Sequence, residues 1–139
     1  MLAVELKPYL EKLIVSLVET YASEGSSISA VSRLEEVQLD AQRAVLAGLM
    51  LSELISNATK YAFSGREKGE LRIVLDRVGG RVELSVSDDG PGLPAGFDPA
   101  TSGNMGFYLL RMLSDQMRAE LVVTSPPGGG VTVALRFDP

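Results

Sequence analysis

The chain of 139 residues has no histidine, no cysteine and no tryptophan. The lack of cysteine excludes a disulfide scaffold and thiol chemistry, as expected of a cytoplasmic protein. No apolar run approaches the roughly 18 residues of a membrane span, and the charged N-terminus does not form a signal peptide. Any membrane anchor would have to sit in other sequence, so this domain is expected to make no membrane contact. Basic residues are the minority, 13 against 18 acidic, for a net charge of −5. No basic cluster accompanies the aromatics, which argues against a nucleic-acid partner. Repeats, low-complexity tracts and linkers are absent too. The length suits one domain covering 1–139, able to bury roughly two-thirds of its unfolded surface.

What is present is a regular alternation of elements. Leu6, Leu10, Leu13, Leu17 and Tyr21 recur at helical spacing and predict an amphipathic helix over 5–22. Short strands follow at 27–33 and 36–39, then a helix over 41–62. A hairpin is predicted from strands 70–77 and 81–88 turning at Gly79-Gly80, then a helix over 105–118 and strands at 119–125 and 131–137. Strands outnumber helices and neighbouring strands are joined by short turns. This predicts an α+β two-layer sandwich, its mixed, mostly antiparallel sheet covered on one face by helices.

Three segments carry polar residues where an apolar pattern gives no reason for them. At 100° per residue, Glu53, Asn57 and Lys60 fall on nearly one line of the second helix, continuing the side of Leu46, Leu49 and Met50. The opposite side is also apolar, so these groups need partners, either a ligand or a neighbouring backbone that they cap. Next, Val82, Leu84 and Val86 alternate toward one face, and Asp88 shares their parity while Asp89 points away. Gly90-Pro91-Gly92 then permits close backbone approach to a flat ligand; an ordinary turn is the alternative. Third, Thr101 to Phe107 forms a glycine-containing loop running into a helix N-terminus, which presents free N–H groups to phosphate; a simple cap by Ser102 or Asn104 is the alternative.

In this order the three segments resemble the N box (Glu53 to Phe63) and the two glycine boxes (Asp88 to Gly92, Ser102 to Phe107) of sensor histidine kinase ATP-binding domains. That superfamily also holds gyrase, Hsp90 and MutL. Lys60-Tyr61-Ala62-Phe63 and Gly96-Phe97-Asp98-Pro99 are similar to the branch related to the HWE kinases, although the Trp-x-Glu signature of that group is absent. The resemblance implies ATP and Mg²⁺ as cofactors. It makes Asn57 the metal ligand and Glu53 the residue that orients a water or assists proton transfer. Lys60 and Tyr61 would contact the nucleotide, Asp88 would accept from the adenine amino group, and Gly90 and Gly92 would pass over the base. Met105 and Gly106 would open the phosphate-facing helix. A lid over 93–105, pinned by Phe97, would order around the triphosphate.

Several positions depart from the family pattern. Only Gly106 remains of three alternating glycines in the second glycine box, and Arg118-Ala119 replaces a common glycine pair, a change expected to affect only a turn. Val131 stands at the usual threonine of the closing motif, leaving Thr132 as the candidate hydroxyl. With no histidine, the chain cannot be its own phosphoacceptor. The resemblance implies a histidine-bearing dimerisation domain in a parent kinase, absent from this chain, and a response regulator downstream, with the domain alone a monomer. Two alternatives remain: a stand-alone serine kinase of the anti-sigma-factor type, suggested by Gly106-Phe107-Tyr108-Leu109-Leu110, and a degenerate nucleotide fold used for docking.

Overall fold

The computed structural model describes residues 2–21, 27–59, 68–93, 96, 105–125 and 129–139. Its larger sheet is built from β2 (Ser27–Leu34), β4 (Lys68–Val78), β5 (Arg81–Asp88), β6 (Glu120–Thr124) and β7 (Thr132–Phe137), in the order β2-β4-β5-β7-β6. The β2–β4 pair is parallel and the other three pairs are antiparallel, the expected mixed sheet. The hairpin forms in the predicted register: Val78 pairs with Arg81 across Gly79-Gly80, and Leu71 pairs with Asp88 at the far end.

Period-two alternation decides which sheet face is dry. Leu71, Ile73 and Leu75 of β4, Val82, Leu84 and Val86 of β5, and Val133, Leu135 and Phe137 of β7 are buried. Against them lie α1 (Leu6–Tyr21), α2 (Ala41–Asn57) and α3 (Met105–Met117), with α2 touching both other helices and β5. Leu6, Leu10, Ile14 and Leu17 form the inner stripe of α1, and Met50, Leu51, Leu54 and Ile55 that of α2. At the close approach of these helices Gly48 faces Tyr9, and a β-carbon there would overlap the tyrosine hydroxyl. The opposite sheet face carries cross-strand ion pairs, Arg33 with Asp76 at 3.1 Å and Arg136 with Glu83 at 2.8 Å.

Several strand ends differ from the sequence reading by one or two residues, the short strand expected at 36–39 being Gln38–Asp40, and the helix boundaries differ as follows. Before α1, Ala3–Glu5 forms strand β1, paired antiparallel with β3 (Gln38–Asp40), so the helix starts at Leu6 rather than at residue 5. Three residues are too few for a periodic signal, and their partner lies more than thirty positions away. Asp40 then caps α2, its Oδ1 accepting from the Arg43 N–H at 3.0 Å. That helix ends at Asn57 and opens into a wider π turn over 58–59. α3 stops at Met117 with Arg118 at φ 57°, closed by Arg118 N–H to Asp115 O at 3.2 Å and Ala119 N–H to Ser114 O at 2.8 Å. This is the left-handed stop that glycine usually supplies, so the Arg118 departure is confined to a turn, as expected. None of the described helices is long and apolar enough to cross a membrane.

Candidate nucleotide site

Asp88 is the best-defined site residue. It ends β5 on the inner face, half-buried opposite Leu71. Its Oδ1 accepts two main-chain N–H bonds, from Gly90 at 2.9 Å and from Val131 at 3.2 Å. Its own N–H donates to Val131 O at 3.0 Å. Two fixed donors on one oxygen lock the carboxylate plane and leave Oδ2 with no partner among the described residues. A carboxylate oxygen held in this way is a preorganised acceptor for an N–H donor. Asp89 points the other way, as its parity predicts, and accepts from the Glu70 N–H at 3.1 Å.

The loop after Asp88 is shaped by two glycines. Gly92 has φ 92°, where a side chain is strained, and a β-carbon on it would lie 2.9 Å from Ser125 Oγ and 3.1 Å from Gly129 O. Gly130 packs so closely on Asp88 that a β-carbon would overlap the aspartate carbonyl. Sequence reasoning gave the Gly128-Gly129-Gly130 run only a resemblance to a closing motif. Within the described residues, the close seat of Gly130 on Asp88 brings the Val131 N–H to its carboxylate. Ser125 was missed altogether; a hydroxyl placed directly before Pro126-Pro127 was the available signal.

Thr132, offered by the sequence as the closing hydroxyl, is turned away from Asp88. It pairs with Ser87, and the two hydroxyls are 2.8 Å apart. Alternation puts Ser87 and Asp88 on opposite sheet faces, so Thr132 follows Ser87 to the outer face. The contact to Asp88 comes instead from the main chain of Val131, for which the missing threonine hydroxyl is not required.

The second half of the site is the end of α2. Glu53 and Asn57 are half-buried one turn apart, beside fully buried Leu54 and Ile55. The Asn57 Nδ2 is buried without a hydrogen-bond partner. Buried amides are almost always paired, so Asn57 is an exception among the described residues. Met105 and Gly106 begin α3, whose Phe107 and Leu110 are buried. Ser114 ties this helix to α2, donating to Leu110 O at 2.7 Å and lying 3.9 Å from Met50 Sδ. Lys60, Tyr61, Phe97 and residues 101–104 lie outside the described residues.

Comparison with known proteins gives this geometry a family. Residues 42–139 match the model of the Histidine kinase-, DNA gyrase B-, and HSP90-like ATPase family. The sensor histidine kinase PdtaS of Mycolicibacterium smegmatis is 35% identical over 100 residues, covering 70% of this chain and 20% of that protein. The Blue-light-activated histidine kinase 2 of Erythrobacter litoralis is 32% identical over 105 residues, covering 75% of this chain and 30% of that protein. The chain thus spans between a fifth and a third of these curated relatives. Among solved structures, the Erythrobacter litoralis EL346 blue-light activated histidine kinase superposes with a TM-score of 0.86 at 28% identity, covering 96% of this chain and 42% of that one. The catalytic domain of histidine kinase ThkA, at 17% identity and a TM-score of 0.77, shares the fold across 99% of this chain and 95% of its own. The chain belongs to the histidine kinase-, DNA gyrase B- and HSP90-like ATPase family, as an ATP-binding domain of the sensor histidine kinase type.

Proposed function

We propose that this domain binds Mg-ATP and transfers the γ-phosphoryl group to a histidine supplied by another segment or chain, in two-component signalling. The observation that supports this reading is the Asp88 carboxylate, one oxygen pinned by two backbone amides and the other without a partner among the described residues. Oδ2 accepts from the adenine amino group, and guanine, with a carbonyl there, is rejected. Gly90 and Gly92 let the backbone pass along the base.

The residues present also fit a magnesium ion. Among the described residues no group of three or more carboxylates or other strong ligands gathers. None is needed where phosphate oxygens and water fill most of the shell and the protein adds a single amide oxygen. The orphaned Asn57 amide is that ligand: a half-turn about its last torsion exchanges its nitrogen for its oxygen. Asn57 would hold the ion, which would supply positive charge to offset that of the transferring phosphoryl group. Glu53, one turn earlier, orients a water of the shell or takes the proton from the attacking imidazole. Lys60 contacts phosphate as a point charge, Tyr61 lies along the nucleotide, and Met105 and Gly106 present the α3 N-terminus to the phosphates. Thr132 acts indirectly, through Ser87, by fixing the strand ends beneath Asp88. In the transfer itself the P–O bond to ADP breaks as an N–P bond forms on the acceptor imidazole.

The acceptor lies in a dimerisation domain of the parent kinase, and the phosphoryl group passes on to a response regulator; the isolated domain is a monomer in the cytoplasm. The sensor kinases among its relatives support this reading over the serine-kinase alternative. The test is incubation with γ-labelled ATP, Mg²⁺ and the histidine-bearing dimerisation domain of a related kinase. Acid-labile, base-stable label on the acceptor is expected. Label on serine, or on neither protein, contradicts the proposal.

A further inference from the structure

Ser125 immediately follows β6, far in sequence from the glycine loop, yet its hydroxyl is fully engaged with that loop. Its Oγ accepts from the Leu93 N–H at 3.1 Å and donates to Gly130 O at 3.2 Å. Gly92 packs against the same oxygen so closely that no β-carbon fits between them. A hydroxyl has one proton to donate, and here it holds the 129–131 segment while the lone pairs hold the exit of the glycine loop. Gly130 in turn seats against Asp88, and Val131 bonds to both its main chain and its carboxylate. The contacts close a ring: Asp88 to Gly90, along the chain to Gly92 and Leu93, across Ser125 to Gly130, and through Val131 back to Asp88.

We propose that Ser125 is a positioning residue for nucleotide binding: its hydroxyl clasps the exit of the Asp88–Leu93 loop to the 129–131 segment and so sets the loop against which the base lies. This rests on the reading of Asp88 as the adenine acceptor. Apart from the Ser125 side chain, the bonds in this ring are made by the main chain or by Asp88 itself. Removing the hydroxyl leaves the Leu93 N–H and the Gly130 carbonyl without their shared partner and frees the loop at the end farther from Asp88.

The test compares wild type, Ser125→Ala and Ser125→Thr by amide hydrogen exchange in the free protein and by binding of a non-hydrolysable ATP analogue with Mg²⁺. Loss of one such bond corresponds to roughly a three- to tenfold effect. In Ser125→Ala, exchange at Leu93 is expected to accelerate by that factor while the core amides of β4 and β5 stay unchanged, and the analogue is expected to dissociate faster by a similar factor. Ser125→Thr, which keeps the hydroxyl, restores both. Unchanged exchange at Leu93 in Ser125→Ala overturns the clasp, as does acceleration shared equally by all core amides, which marks a merely structural serine. If wild type binds no nucleotide, the functional reading fails, and the Leu93 exchange still decides whether the clasp exists.

Discussion

Replacing Asn57 by alanine separates a residue kept for a ligand from one kept for the fold. In the free domain its Nδ2 is buried and makes no hydrogen bond among the described residues. An unsatisfied buried amide costs about 1–3 kcal/mol. Asn57 is also the last residue of α2, and alanine is a better helix former by about 0.6 kcal/mol. Against these gains stands the packing of a half-buried side chain, about 1 kcal/mol at such a site. The balance runs from about +0.6 to +2.6 kcal/mol, where an average substitution loses about 1 kcal/mol. For a chain of this length 1 kcal/mol moves Tm by about 3–4 °C, so thermal unfolding without nucleotide should rise by about 2–9 °C. Magnesium-dependent phosphoryl transfer should meanwhile fall by at least roughly a hundredfold, since the proposed site makes the amide the protein's own ligand to the ion. Calorimetry of the free domain and transfer to a histidine-bearing acceptor read the two effects separately. A Tm that drops by more than about 5 °C would show that the amide serves the fold. Unchanged transfer in the folded variant would remove Asn57 from the metal site.

Three further outcomes follow from the same geometry. Asp88→Asn keeps an oxygen for the Gly90 and Val131 amides but sets an NH₂ where Oδ2 is proposed to accept; affinity for an adenine analogue should fall roughly ten- to a hundredfold by titration, with the fold intact by circular dichroism. Gly130→Ala forces a β-carbon onto the Asp88 carbonyl and should cost about 1–3 kcal/mol in denaturant unfolding, where an exposed turn glycine would tolerate the change. Arg118→Gly relieves the left-handed residue that stops α3 and should raise stability by about 1 kcal/mol in the same assay.

The parts of the fold visible in the sequence are those fixed by local periodicity. The apolar spacing of Leu6, Leu10 and Leu17 made α1 legible, and the alternation from Val82 to Val86 gave both β5 and the inward face of Asp88. Glu53 and Asn57 stood out because polar groups continued an apolar stripe. What escaped depends on distant pairing. β1 exists only because Gln38–Asp40 lies alongside it, and the parallel pairing of β2 with β4 follows from their meeting across the long segment between them. The bond between Ser125 and Leu93 joins residues 32 positions apart and leaves no pattern in either segment. Thr132 shows a different limit: the residue type was suitable, but one step of strand register decided that its hydroxyl meets Ser87 and that the Val131 amide meets Asp88.

The most direct test of the central claim is calorimetric titration of this domain with a non-hydrolysable ATP analogue, with and without Mg²⁺, alongside the guanine counterpart. Saturable adenine-nucleotide binding that tightens with Mg²⁺ and is lost with guanine is the predicted result. No binding by a folded sample in either condition, or equal binding of both bases, would contradict it.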